Sequence, residues 1–213
     1  MTHEVCGIVL AAAGSVTSEQ RAGQSRPVDL DSKLCAGAII RTSSASTAQI
    51  ACLSNTLVQL SENTALEIDS VTLRKDGNET EEEMEARAVR CHLLNGAIHI
   101  SHRGAEGVVD FIAETPQGTL RAKFNCMIRL AADRQKTRIT CASGGVTFQP
   151  ADGHPAFSVE AGFVFEWPSV SPTIVAAAES VAGQQEVLDA LDVEQRLAAL
   201  AKTRRAAMPW KVD

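Results

Sequence analysis

Ala88-Val89-Arg90-Cys91-His92-Leu93-Leu94-Asn95-Gly96-Ala97-Ile98-His99-Ile100-Ser101 is the stretch that decides the fold class. Apolar and polar residues alternate on both sides of Asn95-Gly96, which is the period of a half-buried β-strand. Asn-Gly between two alternating segments is the strongest short-range hairpin signal, because both residues tolerate the positive φ of a tight turn. The expectation is two short strands, Ala88–Leu94 and Ala97–Ser101, joined by a turn at Asn95-Gly96.

The same habit extends in both directions. Upstream, Ile50 and Cys52, then Val58 and Leu60, then Leu66 and Ile68 alternate with polar neighbours, and Ser54-Asn55-Thr56 supplies a turn. Downstream, strands are expected at Val108–Ala113, Thr119–Leu130, Thr137–Ala142, Val146–Phe148, Ala156–Val159 and Phe163–Trp167. In Thr115-Pro116-Gln117-Gly118 the proline extends the residue before it and the glycine admits positive φ, so the chain reverses there. Ser143-Gly144-Gly145 is a second turn of this kind. These turns fall roughly 20 to 30 residues apart, as stacked supersecondary units require. From Val16 to Trp167 the reading is mainly β, with no helix between the strands.

The character changes after Trp167. Ser171 suits an N-cap and Pro172 the first helical position, so an Ala-rich helix is expected to run to about Gly183. A second helix is expected from about Gln184 to Ala207, with Val187, Leu188, Leu191, Leu197, Leu200 and Ala201 as its apolar stripe. Five bases and no acid between Arg196 and Lys211 suit a helix C-terminus. The chain thus divides into a β domain, 1–170, and a helical appendage, 171–213. The stripe is expected to dock on the β body, with assembly of a homo-oligomer through residues 171–213 as the other use for it.

Composition excludes several functions. The chain has 213 residues, a net charge of −6, six Phe, two Trp and no Tyr. An acidic protein poor in aromatics lacks both the basic face and the stacking platforms of a nucleic-acid binder. The apolar run Gly7–Gly14 is too short to span a bilayer and has no basic residue before it, so it reads neither as a membrane helix nor as an export signal. Asp76–Glu85 holds six acids and no base, which reads as a solvated hairpin tip, with a calcium or partner site as the alternative.

No catalytic constellation emerges. His99 and His102 stand three apart, so on a strand they face opposite sides of the pleat and are read as surface histidines rather than metal ligands. His3 and His154 lie in terminal or turn contexts and nominate no triad. Gly104-Ala105-Glu106-Gly107 and Gly144-Gly145 lack the lysine and following helix of a phosphate loop. Cys6, Cys35, Cys52, Cys91, Cys126 and Cys141 form no C-x-x-C pair. They read as small buried hydrophobes, with an isolated disulfide as the alternative. No catalytic, cofactor-binding or metal-ligating residue is nominated, and no cofactor is expected.

Several segments resemble the FecR-type domain. Leu34 and Gly37, then Ile40-Arg41-Thr42 and Ala48-x-Ile50-x-Cys52, are similar to its opening run, and Val58-x-Leu60 with Leu66 to the next. Leu94-x-Gly96-x-Ile98-x-Ile100, then Phe111 with Thr115-Pro116-x-Gly118 and Phe124, resemble its centre. Gly145-x-Thr147 and Ala161-Gly162 resemble its close. The family's small Gly-Thr pair before the second Phe is replaced here by Arg121-Ala122-Lys123.

The resemblance covers about Val16 to Trp167. It implies a twisted β-sandwich or short β-solenoid, to which the residues after 170 add the C-terminal helical tail. It also implies a non-enzymatic periplasmic or envelope sensory domain that binds an envelope protein partner. The family's anti-sigma segment and membrane helix have no counterpart in this stretch, so contact with a membrane is expected only through other segments. A cell-surface scaffold or carbohydrate-associated module, oligomerising through its C-terminal helices, is the alternative.

Overall fold

The computed structural model describes residues 2–20, 23–74, 86–104, 109–122, 125–168 and 174–204. The chain opens with β1 (Thr2–Glu4), β2 (Gly7–Ala13), β3 (Val16–Glu19), β4 (Arg26–Pro27), β5 (Lys33–Leu34) and β6 (Ala38–Thr42). Next come β7 (Thr47–Leu53), β8 (Thr56–Leu60), β9 (Ala65–Arg74), β10 (Ala86–His102), β11 (Val109–Thr115) and β12 (Gly118–Ala122). The last strands are β13 (Cys126–Ala132), β14 (Thr137–Ser143), β15 (Gly145–Pro150), β16 (Phe157–Glu160), β17 (Phe163–Trp167) and β18 (Ile174–Ala176). A single-turn 3₁₀ segment at Ala177–Glu179 then leads into α1 (Val181–Arg204).

These strands form two sheets. The first runs β4-β3-β6-β9-β10-β11-β12-β15-β16, with β1 along the far end of β9. The second runs β5-β2-β7-β8-β10-β13-β14-β17-β18. Strand β10 belongs to both. Its first half pairs with β9 and β11, and its second half with β8 and β13. No pairing among the described residues joins the outer strands, so both sheets are open. The pairing of β10 with β11 is parallel, because the chain crosses to the second sheet and returns before β11 begins.

The inner faces enclose one core. Ile40, Leu66, Val89, Phe111, Leu120 and Phe148 line it from the first sheet; Ile50, Val58, Ile100, Ile128, Ile139 and Phe165 line it from the second. Burial of each such side chain contributes roughly 1.5–3 kcal/mol, so this interleaved layer dominates stability. The mainly-β reading is correct, and the sandwich is its form.

The turns follow a rule. Of the nine described residues with positive φ, eight (Gly14, Asp31, Gly37, Ala45, Asn63, Gly96, Gly144 and Gly162) lie where the chain changes sheets. Only Gly153 lies within a connection inside one sheet. A left-handed residue turns the strand direction sharply enough to cross between layers about 10 Å apart. Hairpins that stay in one sheet, such as Thr115-Pro116-Gln117-Gly118 between β11 and β12, need none.

Asn95-Gly96 obeys the rule and corrects the expected hairpin. Only Gly96 has positive φ, at 96°, whereas a tight primed turn needs it at the first central residue, which here is Asn95. The pair instead makes a bulge in one continuous strand, with a register shift between Leu93 and Asn95. Thr64 fills the corner: the Ala97 N–H donates to its Oγ1 at 3.0 Å, and Asn95 Nδ2 donates to the Asn63 carbonyl at 2.8 Å. Further strands at 2–13, before the expected β region, complete the sheets.

The C-terminal expectation also changes. The residues proposed as N-cap and first turn, Ser171 and Pro172, lie outside the described residues. Beyond them Ile174–Ala176 is a strand rather than a helix, since its β-branched residues extend the second sheet alongside β17. The cap of α1 is Ser180, whose Oγ accepts the Gly183 N–H at 2.9 Å. The helix does dock on the β body, with Ala190, Val193 and Leu197 buried against Leu10, Ala51, Leu57 and Met127 of the second sheet. Leu197, Leu200 and Ala201 of the expected stripe pack there, whereas Leu188 is 59% exposed and Ala190 and Val193 take the buried positions N-terminal to Leu197. The acidic stretch Asp76–Glu85 lies outside the described residues, as do Ala105–Gly107 and Phe124.

A methyl group at Gly96 would stand 2.4 Å from Thr64 Oγ1 and 2.5 Å from Thr64 Cα, whereas one at Gly153 meets nothing within 4 Å. Gly96→Ala is expected to lower stability by about 3 kcal/mol or more, strain and overlap together, and Gly153→Ala by about 1–2 kcal/mol from strain alone. Urea unfolding of the two variants measures the difference.

Candidate functional site

The search for a site begins with what the fold brings together. Among the described residues, no group of three or more His, Cys, Asp or Glu side chains converges on a point where a metal ion could sit. A hollow of about 370 Å³ opens beside β3, β4 and β5, lined by Ser18, Gln20, Arg26, Ser32 and Lys33 among others. Among the described residues lining it, no nucleophile is paired with a base.

The histidines diverge as the pleat requires, but neither is a surface residue. His102 points into the core, its Nδ1 3.0 Å from Thr56 Oγ1 and its ring 5.9 Å from that of Phe111. His99 points outward on the second sheet and is covered by α1. Burial, reinforced by the Arg129 charge, lowers its pKa to about 4. The sequence shows where each ring points; it does not show that a helix closes over one of them. His154 is exposed, hydrogen-bonds Asp152 through Nδ1 at 2.9 Å, and packs edge-on against Trp167.

Cys6 and Cys35 form a disulfide, and Cys52, Cys91, Cys126 and Cys141 are buried free thiols. Both readings of the cysteines therefore hold, each for different residues. Burial alone pushes the Cys52 thiol up to about 12, and burial is also the main cause raising Cys126 to about 12. Such thiols are inert at neutral pH. The bond closes a loop of 29 residues and ties the segment before β2 to that before β6, so it stabilises by roughly 3–4 kcal/mol.

Two surface features stand out. One is the α1 contact. Glu186 of α1 accepts from Thr140 Oγ1 at 2.6 Å, from Arg138 Nε at 3.1 Å and from Arg129 Nη1 at 3.4 Å. Burial raises the Glu186 pKa, but these hydrogen bonds and the two guanidinium charges outweigh it and hold the carboxyl below its ordinary value. The other is the margin of the second sheet. Strand β18 pairs only with β17 among the described residues, and Phe163, Ile174 and Val175 are each 38% exposed beside it. Val181 follows at the start of α1, 84% exposed. An open strand edge carrying apolar side chains can accept another strand.

The FecR protein family is matched over residues 38–147, just over half of the chain. The match runs from the start of β6 into β15 and lies inside the span that the motifs outline. The chain belongs to the FecR family. No curated protein matches it. Two solved structures of a "putative anti-sigma factor" from Parabacteroides distasonis ATCC 8503, at 1.65 and 2.50 Å resolution, are similar with a TM-score of 0.46 and 14% identity. The similarity covers 64% of this chain and 57% of theirs, so the chain spans little more than half of that protein. No helix among the described residues is long and apolar enough to cross a membrane.

Glu186→Gln keeps the shape of the side chain and removes its charge. Charge-assisted hydrogen bonds are worth about 1.5–3 kcal/mol against about 1 for neutral ones, so a loss of about 1–2 kcal/mol is expected. The sign follows from the lowered pKa: the contribution is whole above the ordinary 4.5 and is lost as pH falls through the lower, docked value. Thermal unfolding at pH 7 should separate Glu186→Gln from the native chain, and the gap should close in strong acid.

Proposed function

We propose that this chain is a non-enzymatic sensory and protein-binding domain of the bacterial envelope. It would resemble the periplasmic signalling part of FecR-type sigma-factor regulators. The observation that carries the reading is the family match across β6 to β15, the part of the chain that supplies most of the two-sheet core. The open, apolar edge at β18 supports a protein ligand, and the most direct mode is strand addition. The disulfide supports an oxidising compartment such as the periplasm, since structural disulfides are rare in bacterial cytosol. The net charge of −6 argues against nucleic acid.

A second reading rests on Val181 and Leu188, exposed one above the other on α1 at i and i+7. They suit a scaffold role in which a second copy of the chain covers them. One experiment separates the two. A photo-crosslinking residue is placed at Val175, and adducts are collected from the living cell that makes the protein. The sensory reading expects a discrete adduct with another envelope protein. An adduct of twice the chain's mass favours the scaffold, and absence of any adduct contradicts strand addition at this edge.

A further inference from the structure

His99 lies in the middle of the contact between the second sheet and α1, with only 6% of its surface exposed. Among the described residues, neither ring nitrogen has a hydrogen-bond partner. Its neighbours across the sheet are polar but already engaged. Gln59 on β8 accepts from Gln49 Nε2 at 2.9 Å, and Arg129 on β13 is turned toward Glu186 at 3.4 Å. The helix offers the sheet Ala190, Val193 and Leu197, none of which has a side-chain acceptor.

A neutral imidazole here leaves one N–H unsatisfied, a modest cost. An imidazolium would hold a full charge and two donors in an apolar layer beside a guanidinium, which is far more expensive. The charged groups that act on His99 are Arg129 from β13 and Glu186, Asp189 and Arg196 from α1. Two bases and two acids leave no surplus of negative charge to receive a cation.

The helix is also separable from the body. The core between the sheets contains no α1 residue, and the residues under the helix form a second, smaller apolar cluster. The chain enters α1 through one short turn, and the other polar ties among the described residues are Glu186 with Thr140, Arg129 and Arg138, Glu194 with Arg103 at 3.5 Å, and Arg204 with Asp31.

We infer that α1 is an acid-released latch: protonation of His99 drives the helix off the second sheet while the two-sheet body stays folded. Release uncovers Leu10, Ala51, Leu57 and Met127 together with the helix's own buried stripe. Burial of the docked ring lowers its pKa to about 4, against the ordinary 6.5 of an exposed imidazole. Docking is therefore at full strength above pH 6.5 and weakens as pH falls toward 4. Glu186, held below its ordinary value by its hydrogen bonds and the two guanidinium charges, keeps the latch closed while it is ionised, and its contribution begins to fade only below 4.5.

Hydrogen-exchange protection factors of α1 amides, compared with those of β9 and β10, test the inference in the full chain. Between pH 7 and 4.2 the native protein is expected to lose about 100-fold of its α1 protection, while β9 and β10 retain theirs. His99→Leu, which suits the apolar layer, is expected to hold α1 protection constant; His99→Gln serves the same comparison if the leucine variant does not fold. The inference is overturned if native α1 protection does not change with pH, if it falls equally in the variant, or if β10 opens together with α1.

Discussion

One strand hydrogen-bonded into two sheets is the constraint on which the structure depends. β10 spans 17 residues and offers both edges twice, first to β9 and β11 and then to β8 and β13. Side chains alternate along it with period two, so a slip of one residue would turn Val89 and Cys91 out of one sheet and Ile98 and Ile100 out of the other. The bulge at Asn95-Gly96 resets the direction of the strand between these halves, and Thr64 occupies the space that a side chain at Gly96 would need. The core between the layers is continuous because the strand that lines it is continuous.

The layers differ in what covers them. The second sheet carries α1 on its outer face, held by a small apolar cluster and by Glu186 among two arginines and a threonine. The outer face of the first sheet carries no helix among the described residues and is rich in ion pairs such as Arg41 with Glu19 and Arg121 with Asp110. Both pairs are solvent-exposed and add little stability. A domain built this way is two open sheets over a shared core. It presents edges, a polar face and one detachable cover, which are features suited to contact with other macromolecules.

Much of this was legible in the residues. Alternation at Ile50 and Cys52, Val58 and Leu60, and Ile98 and Ile100 locates strands correctly, and Thr115-Pro116-Gln117-Gly118 reverses the chain as its proline and glycine require. What the local pattern could not show was which sheet each strand joins. Asn95-Gly96 reads identically as a turn or as a bulge, because the difference lies in Thr64 and in strands β8 and β13, far away in sequence. Ile174-Val175 was hidden by its alanine-rich surroundings, although its β-branched residues favour a strand. Spacing alone could not tell the bonded Cys6 and Cys35 from four buried thiols. The burial of His99 depends on a helix about ninety residues later, and no feature near position 99 announces it.

The continuity of β10 is open to direct measurement by cross-strand proton contacts in the NMR spectrum of the folded chain. A shared strand requires Cys91 to contact Ile68 and Ala113 across the backbone, and Ile100 to contact Val58 and Ile128. A hairpin turning at Asn95-Gly96 would instead place Leu93 and Leu94 against Ala97 and Ile98, and that pattern would contradict the architecture described.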